Sequence, residues 1–400
     1  YLRNGWDKYF PPTFDAKCAA GTVYPKNKDL NRGRPVIDGH AVVHKKLSNR
    51  VARAITFLLR YATQERLISH FSMEKASEVS ARISEVNKCD DFDSLHVHSA
   101  DIKSMFTEVK KQDVLDNLRE LLRMCQRRSR RQDIVVFHDK SKPCRLGKMY
   151  EIDVDGICIS FDEIFDVVKF DLDWSFFTLG TKVVLFQLEG IAMGSCLSPC
   201  LANLNCIFYE NAFLKSLNVS QRIFAMRYMD DLYSCFLVDK QFPLHDVQSV
   251  KKELLEKYAS GNMEMIEQPS EDGVEFLESR IVRDADGKGL VSRYFNKNMP
   301  WVGKQKIVRY KNYFSFCDRS TFCSVVISTI QRIATVSTHA NDACESILQI
   351  FNEFRFLNYP ENVFKKAVKN RLQRDVQFRP VWLKLCVCLG IDILSIPPFD

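Results

Sequence analysis

Arg227-Tyr228-Met229-Asp230-Asp231 lies between two short apolar runs, Ile223–Met226 and Leu232–Val238. Two β-leaning runs joined by a tight turn predict a hairpin. Such turns usually carry Asn-Gly or Asp-Gly; this one carries adjacent carboxylates. Two ionised Asp side chains repel each other, and a cation between them reverses that. Mg²⁺ prefers carboxylate oxygens together with phosphates. Taken alone, an Asp-Asp pair is more often a solvated turn, so its neighbours decide the reading.

A second carboxylate falls at the end of another predicted strand. In Ser94–Phe106, alternation places Leu95, Val97 and Ser99 on one face, and Asp101 closes the run. A helix should follow, with Val114, Leu115, Leu118, Leu121, Leu122 and Cys125 at helical spacing. Asp113 lies near its start, where the helix dipole favours an anion. The β-branched run Lys182–Leu188 stops at Glu189-Gly190-Ile191-Ala192-Met193-Gly194-Ser195. Two glycines four apart before a helix (about 197–217) suggest backbone passing close to something. If the strand ending in Asp101 lies beside the hairpin capped by Asp230, their carboxylates can share a pair of metal ions. Such a pair activates a 3′-hydroxyl and stabilises a leaving pyrophosphate. Negative charge spreads over phosphate oxygens in that reaction, so Lys and Arg should lie close by.

The rest of the chain supplies such cations. Residues 1–30 read as irregular, and Tyr24-Pro25-Lys26-Asn27-Lys28 leads to a short β-like run with Arg34. On its own that is an exposed basic strand; beside a phosphate site it is a triphosphate cradle. Gln126-Arg127-Arg128-Ser129-Arg130-Arg131 reads either as a solvated loop or as a surface for nucleic-acid phosphates. The net charge is +7 over 400 residues, and apolar residues make up 46%. A globular protein of two or three packed parts is expected. The 14 Cys include no Cys-x-x-Cys pair, and Cys386-Val387-Cys388 is too tight for a zinc knuckle. They are read as reduced, mostly buried residues of an intracellular protein. Val381–Ile396 is broken by Lys384 and Asp392, so no membrane partner is expected. Strand patterns at Tyr150–Ile159, Met263–Gln268, Val274–Arg283 and Leu290–Phe295 and helices at Asp246–Tyr258, Ala343–Phe356 and Glu361–Arg374 complete the reading. The first residue is Tyr1, so part of a longer chain is expected.

In this order, the residues resemble the reverse transcriptases. Asp101 with Phe106 looks like their motif A, Gly190…Met193-Gly194-Ser195 like motif B, and Tyr228-Met229-Asp230-Asp231 like motif C. Lys26 or Lys28 and Arg34 look like the triphosphate-binding residues, and Phe276-Leu277-Glu278-Ser279 like the start of the primer grip. Within that group the chain is most similar to the Penelope-like retroelements, whose motif B Gly190–Asn203 repeats with Cys196 in place of a Pro. Phe276-Leu277-Glu278 and Asn358-Tyr359-Pro360 match two later segments of that family. Glu189 departs from the Gln of retroviral and telomerase enzymes.

The resemblance implies an α+β right-hand polymerase with an antiparallel palm sheet and a helical thumb. Fingers would span 1–95 and 126–180, palm 96–125 and 181–295, and thumb 296–400. The implied activity is a nucleotidyltransferase, an RNA-directed DNA polymerase adding dNTPs to a DNA primer on an RNA template. Asp101, the Ile102 backbone, Asp230 and Asp231 would hold two Mg²⁺, with Mn²⁺ as the alternative ion. Lys26, Lys28, Arg34, Phe106, Gly190, Met193, Gly194, Ser195, Tyr228 and Met229 would meet the nucleotide. Arg127, Arg128, Arg130, Arg131, Phe276 and Leu277 would meet nucleic acid. A nuclear setting and further domains or subunits of a ribonucleoprotein are also implied. Telomerase catalytic subunits are the first alternative. A polymerase-derived binding subunit that no longer catalyses is the second, and its mark would be the loss of a metal carboxylate.

Overall fold

The computed structural model describes residues 5–10, 17–26, 29–39, 42–89, 92–148, 155–180, 183–217, 223–268, 273–284, 289–296 and 309–392. The chain divides into two compact units, and neither is one continuous segment. The first comprises Tyr1–Ser72, Ile102–Ser220 and Gln248–Ile266; the second comprises Met73–Asp101, Gln221–Val247 and Glu267–Asp400.

In the first unit, the helix Lys45–Gln64 buries Leu47, Val51, Ala54, Ile55 and Leu58 along one stripe. The helix Lys111–Ser129 faces it with Val114, Leu118, Leu121 and Cys125. The helices Phe161–Asp173 and Ser198–Ser216 pack against the latter. Glu210 is fully buried, with its carboxylate taking the Tyr258 hydroxyl at 2.7 Å and the Phe71 amide at 3.0 Å. A buried charge persists only when it is bonded in this way.

Two sheets flank these helices. One orders its strands Asp29–Asp38, Ala19–Lys26, Phe176–Leu179 and Val183–Phe186. The other orders Arg145–Gly147, Asp133–Phe137 and Gly156–Ser160. The Ala19–Lys26 strand corrects the irregular reading of residues 1–30. It carries Gly21 and Pro25, both poor strand formers, and is held by partners on both sides, Asp29–Asp38 antiparallel and Phe176–Leu179 parallel. The basic run is likewise not a loop. Its first half closes the Lys111–Ser129 helix, and Arg130 takes the left-handed conformation that ends it (φ 57°).

The second unit holds a sheet ordered Met265–Gln268, Ser94–Ile102, Asp231–Val238 and Ile223–Tyr228, its first strand belonging to this unit at Glu267 and Gln268. Leu95 and Val97 pack with Met226, Tyr233 and Cys235 on one face, as the alternation predicted. The helix Val79–Val86 covers that face with Val79, Ile83 and Val86. A three-stranded meander, Val274–Phe276, Ser279–Arg283 and Leu290–Tyr294, closes the same core. The expected single strand Val274–Arg283 is therefore a hairpin. Leu277 turns it in the left-handed region (φ 56°), a conformation no side chain of that kind announces.

Beyond the meander, the helices Arg319–Val336, Ala340–Phe356, Glu361–Arg374 and Arg379–Cys388 share a separate core, with Trp382, Phe354 and Phe364 at its centre. Among the described residues, no helix is long and apolar enough to cross a membrane.

Candidate metal centre and nucleotide loop

The predicted hairpin forms between Ile223–Tyr228 and Asp231–Val238, with Tyr228 paired to Asp231. Met229 and Asp230 make the turn, and Met229 is left-handed (φ 54°). On its other side the Asp231 strand pairs antiparallel with Ser94–Ile102, in a register that sets Asp231 directly opposite Asp101. Side chains so placed have Cβ atoms about 4.5–5.5 Å apart, and like charges there destabilise the sheet. Both are half-buried, while Asp230 is exposed at the tip. Asp101 and Asp231 thus face each other across two neighbouring strands, and Asp230 precedes the pair in the turn.

These residues fit Mg²⁺ better than a transition metal. Among the described residues, no three His, Cys, Asp or Glu side chains are close enough together to hold a metal by themselves. Structural zinc needs a closed set of four ligands. Mg²⁺ commonly uses one or two carboxylates and completes its shell with water and substrate phosphates. A cation at the Asp101–Asp231 pair would also relieve the repulsion that the register imposes. The Ile102 side chain is buried, which leaves its backbone as the part able to act as a ligand.

The glycine loop belongs to the first unit and is fixed at several points. Gly190 is left-handed (φ 71°), and a Cβ there would lie 2.5 Å from the Thr107 carbonyl and 2.6 Å from that of Phe106. The Ile191 amide donates to the Phe106 carbonyl at 2.7 Å. Gly194 (φ 120°) lies against the Ile37 carbonyl, and the Ile37 amide donates to Met193 at 2.7 Å. The close approach predicted from the glycine spacing is therefore to other backbone, on both sides. Ser195 braces the turn: its Oγ donates to Asp171 at 3.1 Å and accepts from the Leu197 amide at 3.3 Å. Asp171 also bonds His44 Nε2 at 3.0 Å, and both line a small cavity of about 70 Å³ with Lys45, Cys196 and Trp174.

Asp171 and His44 were not legible as site residues. Each is one polar residue among several near a helix end, and only packing brings them to the loop. Arg227 was quoted as part of the Asp-Asp stretch but not singled out. It is fully buried, and its Nη1 donates to the Met229 carbonyl at 3.1 Å.

The remaining predicted residues are dispersed. Phe106 is half-buried on the four-residue helix Met105–Glu108 of the first unit. Arg34 is exposed, across from Tyr24 on the neighbouring strand. Lys26 ends that strand, and Lys28 lies outside the described residues. Tyr228 packs against the sheet core. Arg127, Arg130 and Arg131 are exposed, whereas Arg128 donates to Glu65 at 2.6 Å. Phe276 is fully buried with its ring 6.0 Å from that of Tyr233. Its expected contact with nucleic acid is thereby corrected to support of the turn from inside, and the neighbour that the turn carries is Leu277.

No protein-family model matches the sequence, and no curated protein matches it. Solved structures do resemble it in fold. Telomerase from Candida albicans, solved with a TWJ fragment of telomeric RNA, superposes with a TM-score of 0.55 at 10% identity, over 96% of this chain and 70% of that one. Apo telomerase from Candida tropicalis gives 0.54 at 11% identity, over 98% of this chain and 67% of that one. The chain therefore shares the fold of these telomerase chains along nearly its whole length, with about one residue in ten identical.

Proposed function

We propose that this chain is a nucleic-acid polymerase, and specifically an RNA-directed DNA polymerase that adds dNTPs to a primer 3′-end. The observation that carries this reading is the register setting Asp231 opposite Asp101, with Asp230 at the adjoining turn. A sheet spends stability on that juxtaposition, and a two-metal centre is the chemistry that uses it. When bound, two Mg²⁺ ions would activate the 3′-hydroxyl and neutralise the leaving pyrophosphate. The protein's part would be to hold the three carboxylates in place. Arg34, with Lys26 or Lys28, would bind the triphosphate, and Gly190–Ser195 would meet the template and incoming base.

In hand terms, fingers are assigned to 1–95 and 126–180, palm to 96–125 and 181–295, and thumb to 296–400. The ordered motifs support a Penelope-like retroelement polymerase. The fold likeness to Candida telomerase supports a telomerase catalytic subunit as the second reading.

Primer extension with a Mg²⁺ titration tests the proposal. Asp230→Asn keeps the side-chain shape and loses the charge that holds the ion, so extension should vanish while the circular dichroism spectrum is retained. Extension near the wild-type level would remove Asp230 from the centre. Copying of an arbitrary long RNA template supports the retroelement reading, and a strict requirement for one bound RNA supports the telomerase reading.

A further inference from the structure

The Arg227 side chain is fully buried in the hairpin sheet. Arginine stays charged in proteins, and taking a charge out of water costs several kcal/mol per ion. Its neighbours in the register, Leu232 and, across the next strand, Ala100, are fully or almost fully buried as well. An apolar residue would fill this position at no desolvation cost. The guanidinium is therefore serving a polar purpose, and among its partners is the turn itself: Nη1 donates to the Met229 carbonyl at 3.1 Å.

Met229 is the residue that needs such support. It is one of seven non-glycine residues with positive φ among those described. That conformation costs a residue with a Cβ roughly 1–2 kcal/mol. It also sets the direction in which the chain leaves the turn, and so where Asp230 points and where Asp231 enters its strand. A relaxed Met229 would shift the turn carboxylate relative to the Asp101–Asp231 pair.

We propose that Arg227 is a positioning residue for the metal centre: by holding the Met229 carbonyl it locks the left-handed turn that aims Asp230 at a cation. This rests on the metal reading above but not on polymerisation. Its expected signature is also independent of activity, because it is a coupling between residue 227 and the backbone strain at residue 229. Glycine adopts positive φ without the steric cost. Met229→Gly should therefore make the Arg227 bond unnecessary.

The test is a double-mutant cycle read by Mn²⁺ binding to the whole chain, followed by electron paramagnetic resonance without nucleotide or primer. Arg227→Met and Arg227→Lys each lose the geometry of the fork, the latter keeping the charge. Either should weaken Mn²⁺ binding by about tenfold, the equilibrium equivalent of one left-handed residue. Adding Met229→Gly should return binding to within about threefold of the single Met229→Gly chain, a coupling of the size seen for neighbouring residues. Circular dichroism checks folding, and if Arg227→Met does not fold, Arg227→Lys carries the same comparison. Unchanged binding in a folded residue-227 variant overturns the proposal, as does a weakening that Met229→Gly leaves in place. If Asp230→Asn loses Mn²⁺ binding but the wild-type chain itself extends no primer, the polymerase reading fails while the cycle still decides the role of Arg227.

Discussion

Phe106 follows Asp101 by five residues, and the chain passes from the second unit to the first between them. Its backbone and its ring do separate things. The carbonyl accepts from Ile191 at 2.7 Å and so helps hold the glycine loop. The residue is half-buried, so its ring is not enclosed on every side. A ring packed beneath an incoming sugar would collide with a 2′-hydroxyl, and specificity is often built on such a repulsive element. Phe106→Val is expected to lower the preference for dATP over ATP by more than about tenfold in kcat/KM, or about 1.4 kcal/mol, with much less effect on dATP alone. Backbone hydrogen bonding at residue 106 survives the change, so the loop should stay in place. If the ring served only packing, both nucleotides would suffer alike and the melting temperature would fall, and an unchanged ratio rejects the gate. Asp101, Asp230 and Asp231 were all legible as candidates because carboxylates at strand ends and turns stand out against an apolar pattern. Asp171 was not, since its meaning lies in Ser195 and His44, 24 residues ahead of it and 127 behind. Separation of that kind leaves no local signal.

At the scale of elements, legibility followed burial. The Lys111–Ser129 helix has one consistently apolar face, and periodicity found it; the Asp-Asp hairpin, its second strand buried on both faces, was legible as two apolar runs about a turn. The Ala19–Lys26 strand is mostly exposed and was missed, because pairing defines it and not a buried face. The basic run was read without its helix, since four Arg residues hide the end of a stripe whose last buried member is Cys125. That position matters for electrostatics. Cations in the last turn of a helix are favoured by its dipole, so Arg127 and Arg128 have a structural use that needs no ligand. Arg128 is already paired with Glu65, although an exposed pair of this kind contributes little. If the run also meets nucleic-acid phosphates, three of its four Arg should carry the effect. Replacing Arg127, Arg130 and Arg131 together by Ala should flatten the log–log salt dependence of primer–template binding by about 2–2.7, at roughly 0.7–0.9 per phosphate contact. Arg128→Ala alone should change the slope by much less. Fluorescence anisotropy across a salt series measures both, and an unaltered slope in the triple variant leaves the helix-end role as the whole explanation.

For the molecule as a whole, the order of the chain and the order of its cores disagree. The chain crosses between the two units five times, at 72/73, 101/102, 220/221, 247/248 and 266/267. Each crossing makes one unit depend on distant sequence, so neither unit can be excised as one piece. The C-terminal helices are the exception. Arg319–Val336, Ala340–Phe356, Glu361–Arg374 and Arg379–Cys388 run consecutively, and the buried members of their core all fall between Phe322 and Ile391. Tyr310, Tyr313 and Tyr294 are packed against its edge, and Arg309 bridges Glu353 at 2.7 Å and the Tyr294 hydroxyl at 2.9 Å. Local contacts of this kind pay little loop-closure entropy and fold readily. A fragment spanning 309–392 is therefore expected to be helical by circular dichroism and to melt in a single cooperative transition. It should be less stable than in the full chain, where the Ser292 hydroxyl also donates to the Val336 carbonyl at 2.7 Å. Trp382 is fully buried at the centre of this core, and truncating a buried aromatic to Ala costs about 3–5 kcal/mol. That is comparable to the whole stability a domain of this size can muster. Trp382→Ala should thus unfold the fragment at room temperature yet only lower the melting temperature of the full chain. A coil-like spectrum for the unmodified fragment would show that these four helices depend on the meander beside them, and that the second unit folds only as a whole.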